Sequence, residues 1–219
     1  SIRRRMESDT FRAIFPDCIM SDDTRTANNW TTTKLGGVRA VGLGAGLTGN
    51  RASTLIIDDP HKDRQGAESA TSRGHVWDWY QSVAMTRLTP DSLVVVIMTR
   101  WHEDDLVGRL TNPEMVKELE SQGFHNQVYD VVNFPAICES DELDILGRKK
   151  GEALWPENKD VSFIEARKVL LTAYEYNALY RGHPVSRGGN VVDISMLTYI
   201  DPHEVPPELE KVRSWDLAI

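Results

Sequence analysis

Cysteine is scarce in this chain: Cys18 and Cys138 are the two it has, far apart and without a C-x-x-C spacing or histidine partners. That excludes a disulfide framework and a structural zinc site, and it fits a reducing compartment. No apolar run approaches the ~20 residues that span a bilayer, and the basic, polar start lacks the apolar core of a secretory leader. The phosphate-cradling pattern G-x-x-x-x-G-K-[ST] is missing. The nearest glycine-rich run, Gly42 to Gly49, has no lysine after it and leads into a strand-like segment rather than a helix. Basic charge is also short, with a net charge of −8 and only two basic runs, Arg3-Arg4-Arg5 and Arg148-Lys149-Lys150. A surface that grips nucleic acid everywhere needs clustered Lys and Arg and is excluded; each run reads as a solvated helix end or turn, or as a local grip.

What is present is the composition of a globular chain, with 40% hydrophobic and 26% charged residues in 219, enough for one good core and a second small one. Residues 1 to 15 carry Ile2, Met6, Phe11, Ile14 and Phe15 at helical spacing and stop at Pro16. Trp30 to Lys34 and Val38 to Val41 flank Leu35-Gly36-Gly37, which predicts a hairpin whose glycines supply positive φ. The run Gly42 to Gly49 is either a flexible loop or one that lets backbone approach a ligand.

The most informative step is Leu55-Ile56-Ile57-Asp58-Asp59-Pro60, an apolar strand that delivers two adjacent carboxylates to a proline-broken loop. Such a strand end can hold a hydrated Mg²⁺ and aim a water at a phosphate, the Walker B arrangement; the bland alternative is a strand exit with an Asx turn before Pro60. A second apolar strand, Leu93 to Met98, ends in Thr99-Arg100-Trp101-His102, and between the two strands Val76, Tyr80, Val83, Ala84 and Arg87 mark a helix within residues 66 to 87. A right-handed strand-helix-strand unit puts both strand ends on one rim, so Asp58, Asp59 and Thr99 are expected to be neighbours. Residues 135 to 156 are polar and turn-rich, and 161 to 180 return to helical periodicity with Tyr174, Tyr176 and Tyr180 expected to pack. Asp201 to Pro207 is a proline-rich boundary, and Lys211 to Ile219 resembles an opening strand.

Taken together, Gly46-Leu47-Thr48-Gly49, Leu55 to Asp59, His61-Lys62-Asp63, Trp77-Asp78-Trp79-Tyr80, Thr86 to Pro90 and Met98 to Leu106 resemble the large terminase subunit of tailed bacteriophages. The likeness continues through Gly151 to Pro156, Tyr180 with Pro184, and Arg213 to Ala218. The resemblance implies an α/β fold: a P-loop NTPase-like parallel sheet of the additional-strand class, incomplete here, then a small linker subdomain and the first strand of an RNase H-like domain. The implied divisions are residues 1–134, 135–208 and 209–219.

The family implies ATP and Mg²⁺ as cofactors, with ATP hydrolysis driving double-stranded viral DNA into a procapsid through its portal, in the host cytoplasm. The other expected partners are the small terminase subunit and further copies in a ring, with no membrane. Asp58 is the expected Mg²⁺ ligand and Asp59 the group that polarises the attacking water. Thr99 is the residue that couples phosphate loss to movement. Arg100 either senses phosphate or pairs with Glu103 or Asp104. Arg51 is the candidate transition-state cation, although some relatives place the arginine where this chain has Thr48; Arg39 is the fallback. Asp216 resembles the first metal-binding carboxylate of the family's nuclease, and the chain ends three residues later, so the nuclease itself is expected to be missing, as is the phosphate-binding loop. Competing readings are another P-loop ATPase such as a helicase, and a nucleotide-independent interaction module.

Overall fold

The structure is a computed structural model that describes residues 2–45, 49 and 51–185. Thr48, the 201–207 boundary, the expected strand from Lys211 and Asp216 lie outside the described residues.

The amino-terminal segment forms two short helices, α1 (Ile2–Met6) and α2 (Asp9–Ile14), rather than one. Ser8 interrupts the run because its hydroxyl accepts the Phe11 N–H and so caps α2. Strands β1 (Met20–Arg25), β2 (Asn29–Thr32) and β3 (Gly37–Arg39) make an antiparallel sheet in sequence order. The expected hairpin is β2–β3, paired Trp30 to Val38; β1 carries no apolar alternation and was not foreseen. At the hairpin tip the positive φ of 65° falls on Leu35, which is 95% exposed, not on the glycines. Gly37 serves another purpose, since a Cβ there would meet the Trp30 carbonyl oxygen at 2.8 Å.

The second unit is a parallel pair, β4 (Ala52–Asp58) and β5 (Leu88–Ile97), in register from Thr54 opposite Leu93 to Asp58 opposite Ile97. The connection between them is helical, as expected, but segmented. It runs through α3 (Arg64–Glu68), α4 (Ala70–Trp79), a π-helical turn (Tyr80–Ala84) and a 3₁₀ turn (Met85–Arg87). Asp63 starts the helix and Ser69 restarts it, by accepting the N–H groups of Gly66 and Ser72. Two short helices follow β5, α5 (Leu106–Leu110) and α6 (Pro113–Ser121).

One face of the β4–β5 pair is covered. Ile57 packs with Val76, Tyr80, Ala84, Leu106 and Leu110, and Leu55, Val96 and Met98 border this core. On the other face Ile56, Leu93 and Ile97 remain 59%, 59% and 55% exposed, a pattern that follows from the alternation of side chains along a strand.

Residues 135–160 fold as turns held by isolated bridges, Ile137 to Ala153 and Trp155 to Lys159. The predicted helix over 161–180 divides into α7 (Val161–Leu170), α8 (Ala173–Tyr176) and a π-helical turn (Asn177–Arg181). The expected packing of tyrosines holds for Tyr176 and Tyr180, whose rings stack at 5.3 Å beside the small core of Ala153 and Ile164.

Candidate functional site

Parallel pairing brings the carboxyl ends of β4 and β5 to one rim, and the chain leaves that rim sharply. Asp59 continues the ladder by donating its N–H to the Ile97 carbonyl at 2.9 Å. It then adopts a left-handed φ of 42°, which Asp tolerates better than most L-residues. That torsion turns its carboxylate across the pair, where Oδ1 accepts the Thr99 N–H at 3.3 Å. Asp59 therefore joins the two strand exits rather than simply capping the turn before Pro60. Asp58 is exposed beside it, and its carboxylate has no hydrogen bond or ion pair among the described residues.

The loop after Thr99 is fixed from beneath by charge. Arg100 pairs with Asp105, its Nε 2.9 Å from both carboxylate oxygens, and not with Glu103 or Asp104. Asp105 is fully buried, and as the N-cap of α5 it also accepts the Gly108 N–H at 2.9 Å. Next to it, Asp104 receives two bonds from Arg109, 2.7 and 2.8 Å, and one from Arg73 at 3.1 Å. The Arg109 bonds, helped by Arg73, hold the Asp104 carboxyl down to about 2 against the opposing effect of burial. Arg73 also donates to the Ala67 and Glu68 carbonyls at the end of α3, so one guanidinium binds helix end, helix α4 and loop. His102 Nδ1 accepts the Asp104 N–H at 2.9 Å and so helps shape the loop.

His61 lies under the same loop, 4% exposed and with neither ring nitrogen hydrogen-bonded to protein. Burial lowers its pKa; nearby Asp105 opposes that, and Arg73, Arg109 and His102 reinforce it.

Arg51 is corrected by the fold. It immediately precedes β4, at the amino end, seven positions from Asp58 and therefore about 20 Å away at strand rise. It therefore does not project from the Asp58 rim, because residues at opposite ends of an extended strand lie a strand length apart. Arg39 ends β3 in the antiparallel sheet.

Asp105, Arg73 and Arg109 were missed by sequence reasoning. Asp105 could have been found, since an Asp before Leu106-Val107 is a helix-start signal. The arginines could not, because their partners lie across the fold. Two further contacts reach this loop and its neighbour from α8: Tyr174 donates to the Trp101 carbonyl at 2.7 Å, and Arg64 pairs with Glu175 at 2.5 Å.

A family model described as terminase large subunit, T4likevirus-type, N-terminal, matches residues 4–199. The chain belongs to the terminase large-subunit family. Membership implies a role in phage DNA packaging. No curated protein matches the chain. For this terminase, the match spans both the β4–β5 rim and the helices from α7 to α8. Among its described residues no helix is long and apolar enough to cross a membrane.

Proposed function

We infer that this terminase chain carries the hydrolytic half of an ATP-driven motor that moves double-stranded viral DNA through the portal into a procapsid. The observation that carries the reading is the bond between Asp59 Oδ1 and the Thr99 N–H across the ends of two parallel strands. One carboxylate oxygen is held by the neighbouring strand exit, which leaves the other to orient and polarise a water for attack on a γ-phosphate. The reading takes the sheet as P-loop NTPase-like. It is supported by the bare apolar face of β4–β5, since parallel sheets are normally covered on both faces.

Among the described residues no three His, Cys, Asp or Glu side chains converge on a point, so a cage of protein ligands does not fit. Mg²⁺ at a phosphate site needs only one or two carboxylates and keeps waters, and the exposed, unengaged Asp58 suits that chemistry. When bound, the ion would neutralise charge on the β- and γ-phosphates. Thr99 contributes through its backbone to Asp59 and through its hydroxyl to whichever acceptor the nucleotide state offers. Arg100 holds the loop on Asp105. Arg51, at the far end of β4, would serve only from a neighbouring subunit of a ring.

The same reading assigns residues 1–134 to the ATPase, 135–208 to a linker and 209–219 to the start of a nuclease containing Asp216. It takes the small terminase subunit as a partner and the host cytoplasm as the location.

The test is Asp59→Asn in the packaging terminase that carries this chain. Hydrolysis should fall by at least ~10²-fold with ATP affinity nearly kept, as for loss of a catalytic acid-base group. Comparable turnover in the variant would leave Asp59 a turn residue only.

A further inference from the structure

We propose that α8 is a latch that holds the two catalytic loops in step, with Tyr174 gripping the loop after β5 and Glu175 gripping the helix start after β4, so that loop movement passes into the linker. The inference rests on the hydrolytic reading of the rim for its consequence, but the latch itself is geometric.

The two grips are adjacent in sequence and land on different strand exits. Tyr174 donates its phenol hydrogen to the carbonyl of Trp101, two residues beyond Thr99. Glu175 pairs with Arg64, which opens α3 directly after its N-cap Asp63. Arg64 also reaches Glu68 at 3.7 Å, but Glu175 is the partner from another part of the fold. The segment Pro60 to Asp63 is short, so a shift of Asp59 reaches Arg64 within one turn. A shift of Thr99 reaches Trp101 in the same way. Hydrogen bonds weaken steeply beyond their normal distance, so any change in the separation of the loops must either break one grip or carry α8 with it.

Carrying α8 moves the linker, because its continuation is fastened there. The Tyr180 carbonyl accepts the Ala136 N–H at 2.7 Å. The Arg181 guanidinium holds both oxygens of Glu139, at 2.5 and 2.9 Å. Tyr174 and Glu175 are thus positioning residues, not catalytic ones.

Two conservative variants remove the grips. Tyr174→Phe deletes one hydroxyl. Glu175→Gln deletes the charge that pairs with Arg64 while keeping a side chain that can close the capping box with Thr172, whose hydroxyl accepts the Glu175 N–H and contacts its carboxylate. Hydrogen exchange on this 219-residue chain is the first readout. Tyr174→Phe should speed exchange about fivefold at 99–105 and not at 60–68, and Glu175→Gln should do the reverse, as expected for loss of one bond in local opening. Unchanged exchange in both segments, or uniform loosening of 171–181 alone, would overturn the latch whether or not ATP is hydrolysed.

In the packaging terminase, each variant should lower the DNA length moved per ATP by about threefold while KM for ATP stays within about twofold, and the double charge swap Arg64→Glu with Glu175→Arg should restore it. A normal ratio in both single variants, alongside hydrolysis that Asp59→Asn abolishes, would reject the latch and keep the hydrolytic reading. Hydrolysis indifferent to Asp59→Asn would reject that reading, leaving the exchange result to judge the latch.

Discussion

At Asp59 one torsion sets the geometry of the rim. In an ordinary extended conformation the residue would continue the β4 alternation; at φ 42° its carboxylate reaches across to Thr99. Strain of this kind persists only where neighbours hold it, and the Ile97 and Thr99 bonds do so from both sides. His61, two residues on, works in the opposite sense, as a buried group best left neutral. Its pKa lies below the ordinary 6.5, chiefly from burial, so between those two values the unfolded chain binds more protons than the folded one. Stability from this residue is complete above the unfolded value and is lost as pH falls from about 6.5 toward the lower folded value. The groups facing it are Asp105, Arg73, Arg109 and His102. Thermal unfolding of wild type and His61→Gln should therefore differ in slope: the Tm lost between about pH 7.5 and about pH 5.5 should be smaller in the variant, which cannot titrate. Equal losses would mean that His61 is no more buried than in the unfolded chain.

Among elements, the loop from Thr99 into α5 is the most tightly specified. Its close approach to itself is visible at Gly108, where a Cβ would sit 1.7 Å from the Glu103 carbonyl oxygen and 2.8 Å from the carbonyl carbon. Backbone cannot yield there as a side chain could. Gly108→Ala should cost about 3 kcal/mol or more in denaturant unfolding, at or above the upper end of forced overpacking. Gly74→Ala in α4, where a Cβ meets nothing within 4 Å, should instead stabilise by about 0.5–1 kcal/mol. A mild Gly108→Ala would show that the loop is not held as described. The contrast also explains what was legible in advance. The two strands, the helical crossover and the shared rim of Asp59 and Thr99 follow from apolar runs and handedness, which are local signals. Ser69, available as a cap from the sequence, does start a helix, whereas the break at Ser8 blurs because nothing marks that serine among the polar residues around it. The partner of Arg100 lies five residues away on a buried N-cap; the helix-start signal before Leu106 marks Asp105 as a cap, but nothing in the run Glu103-Asp104-Asp105 says which acid Arg100 takes. Contacts between α8 and the rim join residues more than seventy positions apart and leave no periodic trace.

For the whole molecule, the rim supplies only part of what phosphoryl transfer requires. On the proposed reading Asp58 and Asp59 offer carboxylates for a hydrated cation and an attacking water, but two carboxylates repel a polyphosphate unless backbone amides and a lysine hold it. The sequence contains no G-x-x-x-x-G-K-[ST] loop, and the net charge of −8 gives no general attraction for a nucleotide. A parallel pair with one apolar face exposed is likewise a sheet whose covering is not supplied by the described residues. The 219-residue chain by itself should therefore hydrolyse ATP negligibly, even with Mg²⁺ in excess, because the two carboxylates have no substrate held against them. Phosphate release measured on the purified chain, beside the same chain carrying Asp58→Ala, checks this. Background-level release from both is the expected result. Steady turnover that Asp58→Ala abolishes would mean that this chain builds its own phosphate cradle from residues other than the missing loop, and that the nucleotide approaches the rim from a direction the β4–β5 arrangement does not imply.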